Sequence, residues 1–236
     1  VHGKDRAEAI AKMREALNGF VIRGVSSNIP FQAALLAHPK FVAGDFNTGF
    51  IAENYGKGFR AEDVPHDNPD FLVALAAFVN RCYLGRSTAI SGQLEGHELK
   101  ISNDFVAVVV GQMGNGASYK VHVANFDEKT YASEICVGGN SYKLTSKSRF
   151  GQIRLRGTCN GVPFTAQVER GVVKKPLAIR VIHNGAQLDA MVMLPRAASL
   201  YALMPHKAPP DMSRYVLSPM PGLLADVSVQ VGQKVQ

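Results

Sequence analysis

Residues 68–82 read NPDFLVALAAFVNRC, and the fold turns on how that stretch is read. Asn68 followed by Pro69 is a helix-opening pair, because Pro tolerates the first turn and Asn can cap it. Phe71, Leu72, Leu75, Phe78, Val79 and Cys82 spread over much of a helical circumference, and Ala74, Ala76 and Ala77 fill most of the remainder. A helix that is apolar nearly all round has to be buried nearly all round. It therefore demands a structure that wraps it.

The wrapping follows it in the chain. Segments 104–111, 118–124, 131–137, 141–146, 151–158, 162–169, 177–183 and 186–194 read as eight strands. Several alternate polar with apolar residues, as in Tyr119-Lys120-Val121-His122-Val123 and Ile153-Arg154-Leu155-Arg156. Asn160-Gly161 and Asn184-Gly185 are type I′ hairpin signals, since both central residues must take positive φ, and Gly138-Gly139-Asn140 serves in the same way. The fold expected is α+β: a central buried helix wrapped by an eight-stranded antiparallel barrel.

Before that helix, residues 5–20 form a predicted helix with Asp5 as cap, Glu8 at capping-box spacing, and Ile10, Met13, Leu17 and Phe20 on one stripe. A second helix begins at Asn28 and Pro30, runs through Leu36 and ends at His38-Pro39. From Gly44 to Asn68, glycines at 44, 49, 56 and 58 and Pro65 weaken the pattern, which reads as a linker. After Pro195, residues 197–204 suggest a short helix, and Pro205, Pro209 and Pro210 make a stiff connection.

Composition bounds the class. The 236 residues are 46% hydrophobic and 19% charged, enough for a packed core and too few charges for a disordered chain. No apolar run approaches the roughly 20 residues of a membrane helix. Cys82, Cys136 and Cys159 are odd in number and widely spaced, which argues against a disulfide framework or zinc knuckle and for a reducing compartment. The net charge is +7 and the isoelectric point about 9.4. Basic residues are dispersed, and the densest run, Lys143, Lys147, Arg149, Arg154 and Arg156, reads as exposed strand faces, with docking to an acidic partner or phosphate as the alternative. The chain lacks an initiator Met and opens like a strand end running into a helix, so both ends look cut from a longer protein.

Three stretches carry a resemblance. GKDRAEAIAKMREAL (3–17) and FVIRGVSSNIPFQAALLAHPKFVAGDFNTGFI (20–51) resemble the end of a biotin carboxylase domain. LMPHKAPPDMSRYVLSPMPGLL (203–224) resembles the linker and entrance of a biotin carboxyl carrier domain, with Ser218-Pro219-Met220-Pro221-Gly222 as its turn and Val227, Val229, Val231 and Gly232 behind it. Taken in order, the segments resemble the alpha subunits of biotin-dependent acyl-CoA carboxylases, most closely those of the propionyl-CoA type. Methylcrotonyl-CoA and related carboxylases keep the same middle domain and remain alternatives. The resemblance implies these boundaries: 1–58 the end of the biotin carboxylase domain, which is of ATP-grasp type, 59–68 a linker, 69–204 the BT domain, 205–214 a linker, and 215–236 the start of the carrier domain.

The family carboxylates biotin with ATP and bicarbonate and then carboxylates an acyl-CoA; for propionyl-CoA the product is methylmalonyl-CoA. Biotin, ATP and Mg or Mn are thus implied for the whole subunit and none is expected on this stretch. The ATP-grasp lid, metal-binding glutamates and catalytic arginine would precede Val1, and the biotinyl lysine would follow Gln236. No Met-Lys-Met occurs, Lys234 lacks flanking methionines, and no catalytic residue is assigned. The partner implied is the carboxyltransferase beta subunit, in a hetero-oligomer without nucleic acid or membrane. The compartment would be the cytoplasm in a bacterium or the mitochondrial matrix in a eukaryote.

Docking is what this stretch can carry. STAISGQLEGHELKISN (87–103) joins the buried helix to the first strand. Connections of about 15 residues without structure of their own are uncommon in compact domains, and they are usually functional or disordered. In the family this segment is a hook that inserts against the beta subunit, and Ile90, Ser91, Gly92, Leu94, Glu95, His97 and Glu98 occupy it here. The opposing reading packs the loop on its own barrel.

Other chemistry finds little support. The seven histidines never fall at zinc-site spacings. Gly111, Gly114 and Gly116 mimic a nucleotide fingerprint but stand between strands with no helix to follow. Ser87 and Ser91 have no base nearby in sequence. A stand-alone basic barrel binding nucleic acid would need aromatic residues beside Lys and Arg on one face, whereas Phe126, Tyr131, Tyr142, Phe150 and Phe164 mostly read as core.

Overall fold

The computed structural model describes residues 1–59, 64, 68–110, 116–148, 151–172, 175–205, 222–223, 226, 229–230 and 232–233. Residues 1–202 form one compact unit and 203–236 another. In the first unit, helices α1 (Arg6–Gly19), α2 (Ile29–Ala37), α3 (Pro39–Ala43) and α4 (Phe50–Tyr55) precede a 20-residue helix, α5 (Pro69–Thr88). Eight strands follow: β1 (Asp104–Val109), β2 (Ser118–Asp127), β3 (Ala132–Val137), β4 (Asn140–Ser146), β5 (Arg154–Cys159), β6 (Val162–Val172), β7 (Lys175–His183) and β8 (Ala186–Met193). Helix α6 (Pro195–Ala202) ends the unit.

The strands pair antiparallel in chain order, and β8 returns to β1 with Val106 opposite Met193 and Val109 opposite Ala190, which closes the barrel. Closure leaves no sheet edge open to another chain. Helix α5 is the barrel's core. Every side chain from Phe71 to Phe78 is buried, and the inward strand residues alternate with outward ones, as Phe105, Ala107 and Val109 do on β1.

The local chemistry at the helix start follows the sequence. Asn68 accepts the Phe71 N–H at 3.2 Å and the Tyr142 hydroxyl at 2.7 Å, so one amide caps α5 and ties it to β4. Asn140 donates to Asp70 at 3.1 Å beside it. The hairpins behave as read: Asn160, Gly161, Asn184, Gly185, Gly138 and Gly139 all have positive φ. At α1, Asp5 accepts the Glu8 N–H at 2.8 Å, but the Glu8 carboxylate takes the Lys4 N–H rather than the cap's own, so the capping box is not reciprocal.

Four expectations are corrected. Burial all round holds only for the first half of α5; Val79 to Leu84 are half-buried, because the barrel wall is incomplete there. The 44–68 stretch contains α4, whose Phe50 is buried, and an isolated core residue, Val64, so it is not merely a connection. Apolar residues at Phe41, Phe46, Phe50 and Tyr55 pack ring on ring and outweigh the glycine-weakened pattern. His38-Pro39 ends α2 but also starts α3 at once, with Pro39 in its first turn. The strands β2, β6 and β7 run longer than periodicity indicates, with bulges between Ala124 and Asp127 and between Arg170 and Val172, while β5 starts later, at Arg154. Bulges break the two-residue period and hide a strand's end from the sequence.

Two central substitutions follow. Leu75 is wholly buried inside the barrel, so Leu75→Ala should cost about 2–5 kcal/mol of unfolding free energy in a urea titration. A Cβ at Gly157 would lie 1.8 Å from the Thr145 carbonyl oxygen of β4; Gly157→Ala should therefore lose the amide protection of the β4–β5 pairing in hydrogen exchange, while the Leu75 region stays protected.

Candidate docking site

Helix α5 enters the barrel at the β3–β4 turn and leaves at the opposite end, where β1 begins. Residues 89–103 span that exit. Thr88 closes the helix by donating to the Gly85 carbonyl at 2.7 Å, and the Ala89 N–H donates to the carbonyls of Gly85 and Arg86. Every residue from 89 to 100 is exposed. The seven residues singled out in sequence all lie on this projection. Ile90 is 65% exposed, Leu94 72% and Leu99 53%.

The projection has order of its own, and the residue that supplies it was not singled out from sequence. Gln93 donates through Nε2 to the carbonyl oxygens of Thr88 at 2.6 Å and Ile90 at 3.0 Å, and its Oε1 accepts the Leu99 N–H at 3.0 Å. One side chain thus joins both arms of the loop. At the tip, the His97 N–H donates to the Leu94 carbonyl at 3.0 Å, and Gly92 and Gly96 adopt the left-handed conformation that other residues resist. Glu98 accepts the Gly96 N–H at 3.1 Å. Its own amide and that of Gly96 hold its carboxyl below the usual carboxylate range. A signal for Gln93 existed: a long amide flanked by glycines at 92 and 96 can reach backbone groups on either side of a turn.

Beneath the projection, the Arg81 side chain is 11% exposed and stacks 4.1 Å from the Phe126 ring, with Glu128 at 4.0 Å. Burial pulls its pKa below the ordinary arginine value. Its Nε and Nη1 have no acceptor among the described residues.

The other sequence candidates disperse. Lys143, Arg154 and Arg156 are exposed strand-face residues, Lys147 is exposed just beyond β4, and Arg149 and Phe150 lie outside the described residues. Tyr142 and Phe164 are buried, and Phe126 and Tyr131 pack against the core. His122 pairs with Asp104 at 2.7 Å, His38 sits against Phe50, and His183 against Phe71; His66 and His206 lie outside the described residues. Among the described residues no three of His, Cys, Asp and Glu group as metal ligands would. Gly111 and Gly114 fall outside the description, and the strands on either side pair as a hairpin. No described helix is long and apolar enough to cross a membrane. In the second unit Gly232 takes positive φ, with the Gln233 N–H donating to the Gln230 carbonyl at 3.0 Å; Ser218 to Pro221, Val227, Val231 and Lys234 lie outside the described residues.

A closed antiparallel barrel threaded by its own helix, with a preformed loop at the helix exit, defines a narrow class of domain. Residues 72–207 match the family model of the propionyl-coenzyme A carboxylase BT domain, and residues 1–53 match that of the biotin carboxylase C-terminal domain. The chain belongs to the propionyl-CoA carboxylase BT-domain family. It is 37% identical to the propionyl-CoA carboxylase alpha chain of Ruegeria pomeroyi, over 98% of this chain and 32% of that one. To the mitochondrial propionyl-CoA carboxylase alpha chain of Caenorhabditis briggsae it is 28% identical, over 99% of this chain and 32% of the relative. Over 50 residues it is 54% identical to biotin carboxylase 1 of Bacillus subtilis, covering 21% of this chain and 11% of that one. The chain spans about a third of the length of the propionyl-CoA carboxylase alpha chains it matches.

Removing the Gln93 clasp by Gln93→Ala should speed amide exchange at Leu99 at least tenfold while shifting overall stability by no more than about 0.5 kcal/mol, as for other exposed positions. The depressed Glu98 carboxyl stabilises the tip above its unfolded pKa, and this contribution is lost as pH falls through the folded value. The Gly96 amide resonance should hold steady from neutral pH down to about 5 and move only below about 4; Glu98→Gln should abolish the movement.

Proposed function

We propose that this chain is part of the biotin-bearing alpha subunit of a propionyl-CoA carboxylase. Its own task is to dock the carboxyltransferase beta subunit through residues 89–103. The observation that carries the reading is the exposure of Ile90, Leu94 and Leu99 on a backbone already fixed by Gln93. Apolar side chains held out in water on an ordered loop gain free energy when a partner covers them, and the order already present lowers the entropy lost on binding. Ser91, Gly92, Glu95, His97 and Glu98 would line the rim of that contact.

The chemistry of the holoenzyme, ATP-dependent carboxylation of biotin and transfer to propionyl-CoA, is proposed for the whole subunit with its partner. No lysine here has methionine on both sides, and the described residues offer no metal-ligand group. No chemical step is therefore routed through them. The segment boundaries at 58, 68, 204 and 214 belong to the same proposal.

Leu94→Asp and Ile90→Asp should each weaken association with the beta subunit by about thirtyfold or more, the scale of an interface hot spot. Circular dichroism and the melting temperature of the isolated chain should be unchanged. Co-purification at wild-type yield from both variants would refute the assignment.

A further inference from the structure

The barrel wall is incomplete at the end where α5 leaves. β4 and β5 pair over three residues only, from Leu144 opposite Cys159 to Ser146 opposite Gly157. Beyond Ser146 the Lys147 N–H still donates to the Arg156 carbonyl at 3.1 Å and Ser148 Oγ accepts the Arg156 N–H at 2.7 Å, but the regular pairing has ended, and β5 begins at Arg154. β6 runs on to Val172, but its pairing with β5 ends at Gln167. Beside this part of α5 a cavity of about 510 Å³ opens. Such a volume lies within the range of small-molecule sites, roughly 300–1,000 Å³.

One side of it is apolar, while Ser146, Ser148 and Gln152 add polar groups to the lining. Phe78 and Val79 come from α5, Leu155 from β5, and Val168 and Val172 from β6. Cys82 adds a thiol whose pKa burial pushes up to about 12, so it stays neutral and serves as an apolar wall. The mouth is cationic. Arg23 pairs with Glu169 there, and Arg180 is held by Asp189 through two hydrogen bonds of 2.7 and 2.9 Å. Arg170 differs from both. It makes no ion pair with a described carboxylate, it is exposed, and it lies 3.9 Å from the Tyr83 ring centroid. Its position follows from a bulge. The β6–β7 register shifts between Arg170 and Val172: Gly171, at φ +70°, stands opposite three β7 residues, 176–178, so the extra residues are on β7 and the kink falls beside Arg170. Bulges at barrel rims re-aim side chains in this way.

We propose that this cavity binds a small amphipathic anion, with an apolar body against Phe78, Val79, Leu155 and Val168 and a carboxylate or phosphate head on Arg170. An alkyl chain displaces water from the apolar walls, and Arg170, which has no ion pair among the described residues, supplies a charge-assisted hydrogen bond. Arg23 and Arg180 already hold carboxylates, but Lys175 shares Asp189 at 3.4 Å, so the mouth keeps a net positive charge that favours an anionic head group. The site is distinct from the exposed loop and does not rest on the docking reading.

Calorimetric titration of the chain with octanoate, octyl phosphate, octanol and octylammonium tests the assignment. One or both anions should bind at one site per chain and at least tenfold tighter than octanol, and their ratio identifies the preferred head; octylammonium should not bind. Arg170→Gln, at an exposed position, should weaken the anions about tenfold, as loss of a charge-assisted contact does, and leave octanol unchanged. Val79→Phe should abolish binding of all three. Should that variant not fold, nuclear Overhauser contacts from octanoate methylenes to the Phe78 and Tyr83 rings of the wild type locate the ligand. No saturation of either anion by about 10 mM, the weak end of specific affinity, would overturn the proposal. Equal binding of octylammonium, undiminished anion binding in Arg170→Gln, or Overhauser contacts confined to residues 89–100 would do the same.

Discussion

An eight-stranded barrel normally has room inside for little more than its own side chains, and a helix with its side chains measures about 10–12 Å across. The structure depends on reconciling these two sizes. Alanine does it from both sides: Ala74, Ala76 and Ala77 on the helix, and Ala107, Ala166, Ala186 and Ala190 on the inner wall, all buried. Larger residues, Leu72, Leu75 and Phe78 on the helix and Ile135, Val137 and Leu144 on the wall, fill what the alanines leave. Interdigitation of large with small lets the barrel close on the helix instead of on itself.

Where that fit gives out, the functional features appear. Toward the α5 exit the ladder between β4 and β5 ends, the helix becomes half-buried, and both the cavity and the 89–103 loop lie at this end. The opposite end, with the Asn68, Tyr142 and Asp70 hydrogen bonds, is sealed. The molecule is thus polarised: one end holds the helix in register, and the other presents it.

The N-terminal helices are fastened to the same barrel by polar contacts. Asn18 of α1 accepts the Asn184 N–H at 2.7 Å and donates to the Asn184 side chain at 2.9 Å, while Gln167 donates to the carbonyls of Asn18 and Phe20. Glu15 and Thr165 add a further hydrogen bond. Gly185 is required where α2 crosses that hairpin, since a Cβ there would lie 2.5 Å from the Ala33 Cβ. Buried polar groups satisfied in this manner set orientation more than they add stability.

Much of this was legible in the order of residues. The all-round apolar helix implied its wrapping, two-residue alternation marked the strands, and Asn-Gly pairs marked the hairpins, because each depends on near neighbours in the chain. The loop at 89–103 was legible as exposed apolar residues without periodicity, yet Gln93 was not, since its worth lies in spanning two arms that only folding brings within 3 Å. Helix α4 was obscured for a similar reason: its aromatic partners outweigh its glycines only once they touch. Sequence by itself determined the eight strands, the helices on either side of the 44–68 stretch and the enclosure of one helix, but not α3 or α4. Tertiary structure alone decided where the β4–β5 ladder ends, which side chains line the cavity, and how α1 meets the barrel, because these follow from ladder lengths and register shifts summed around a closed sheet.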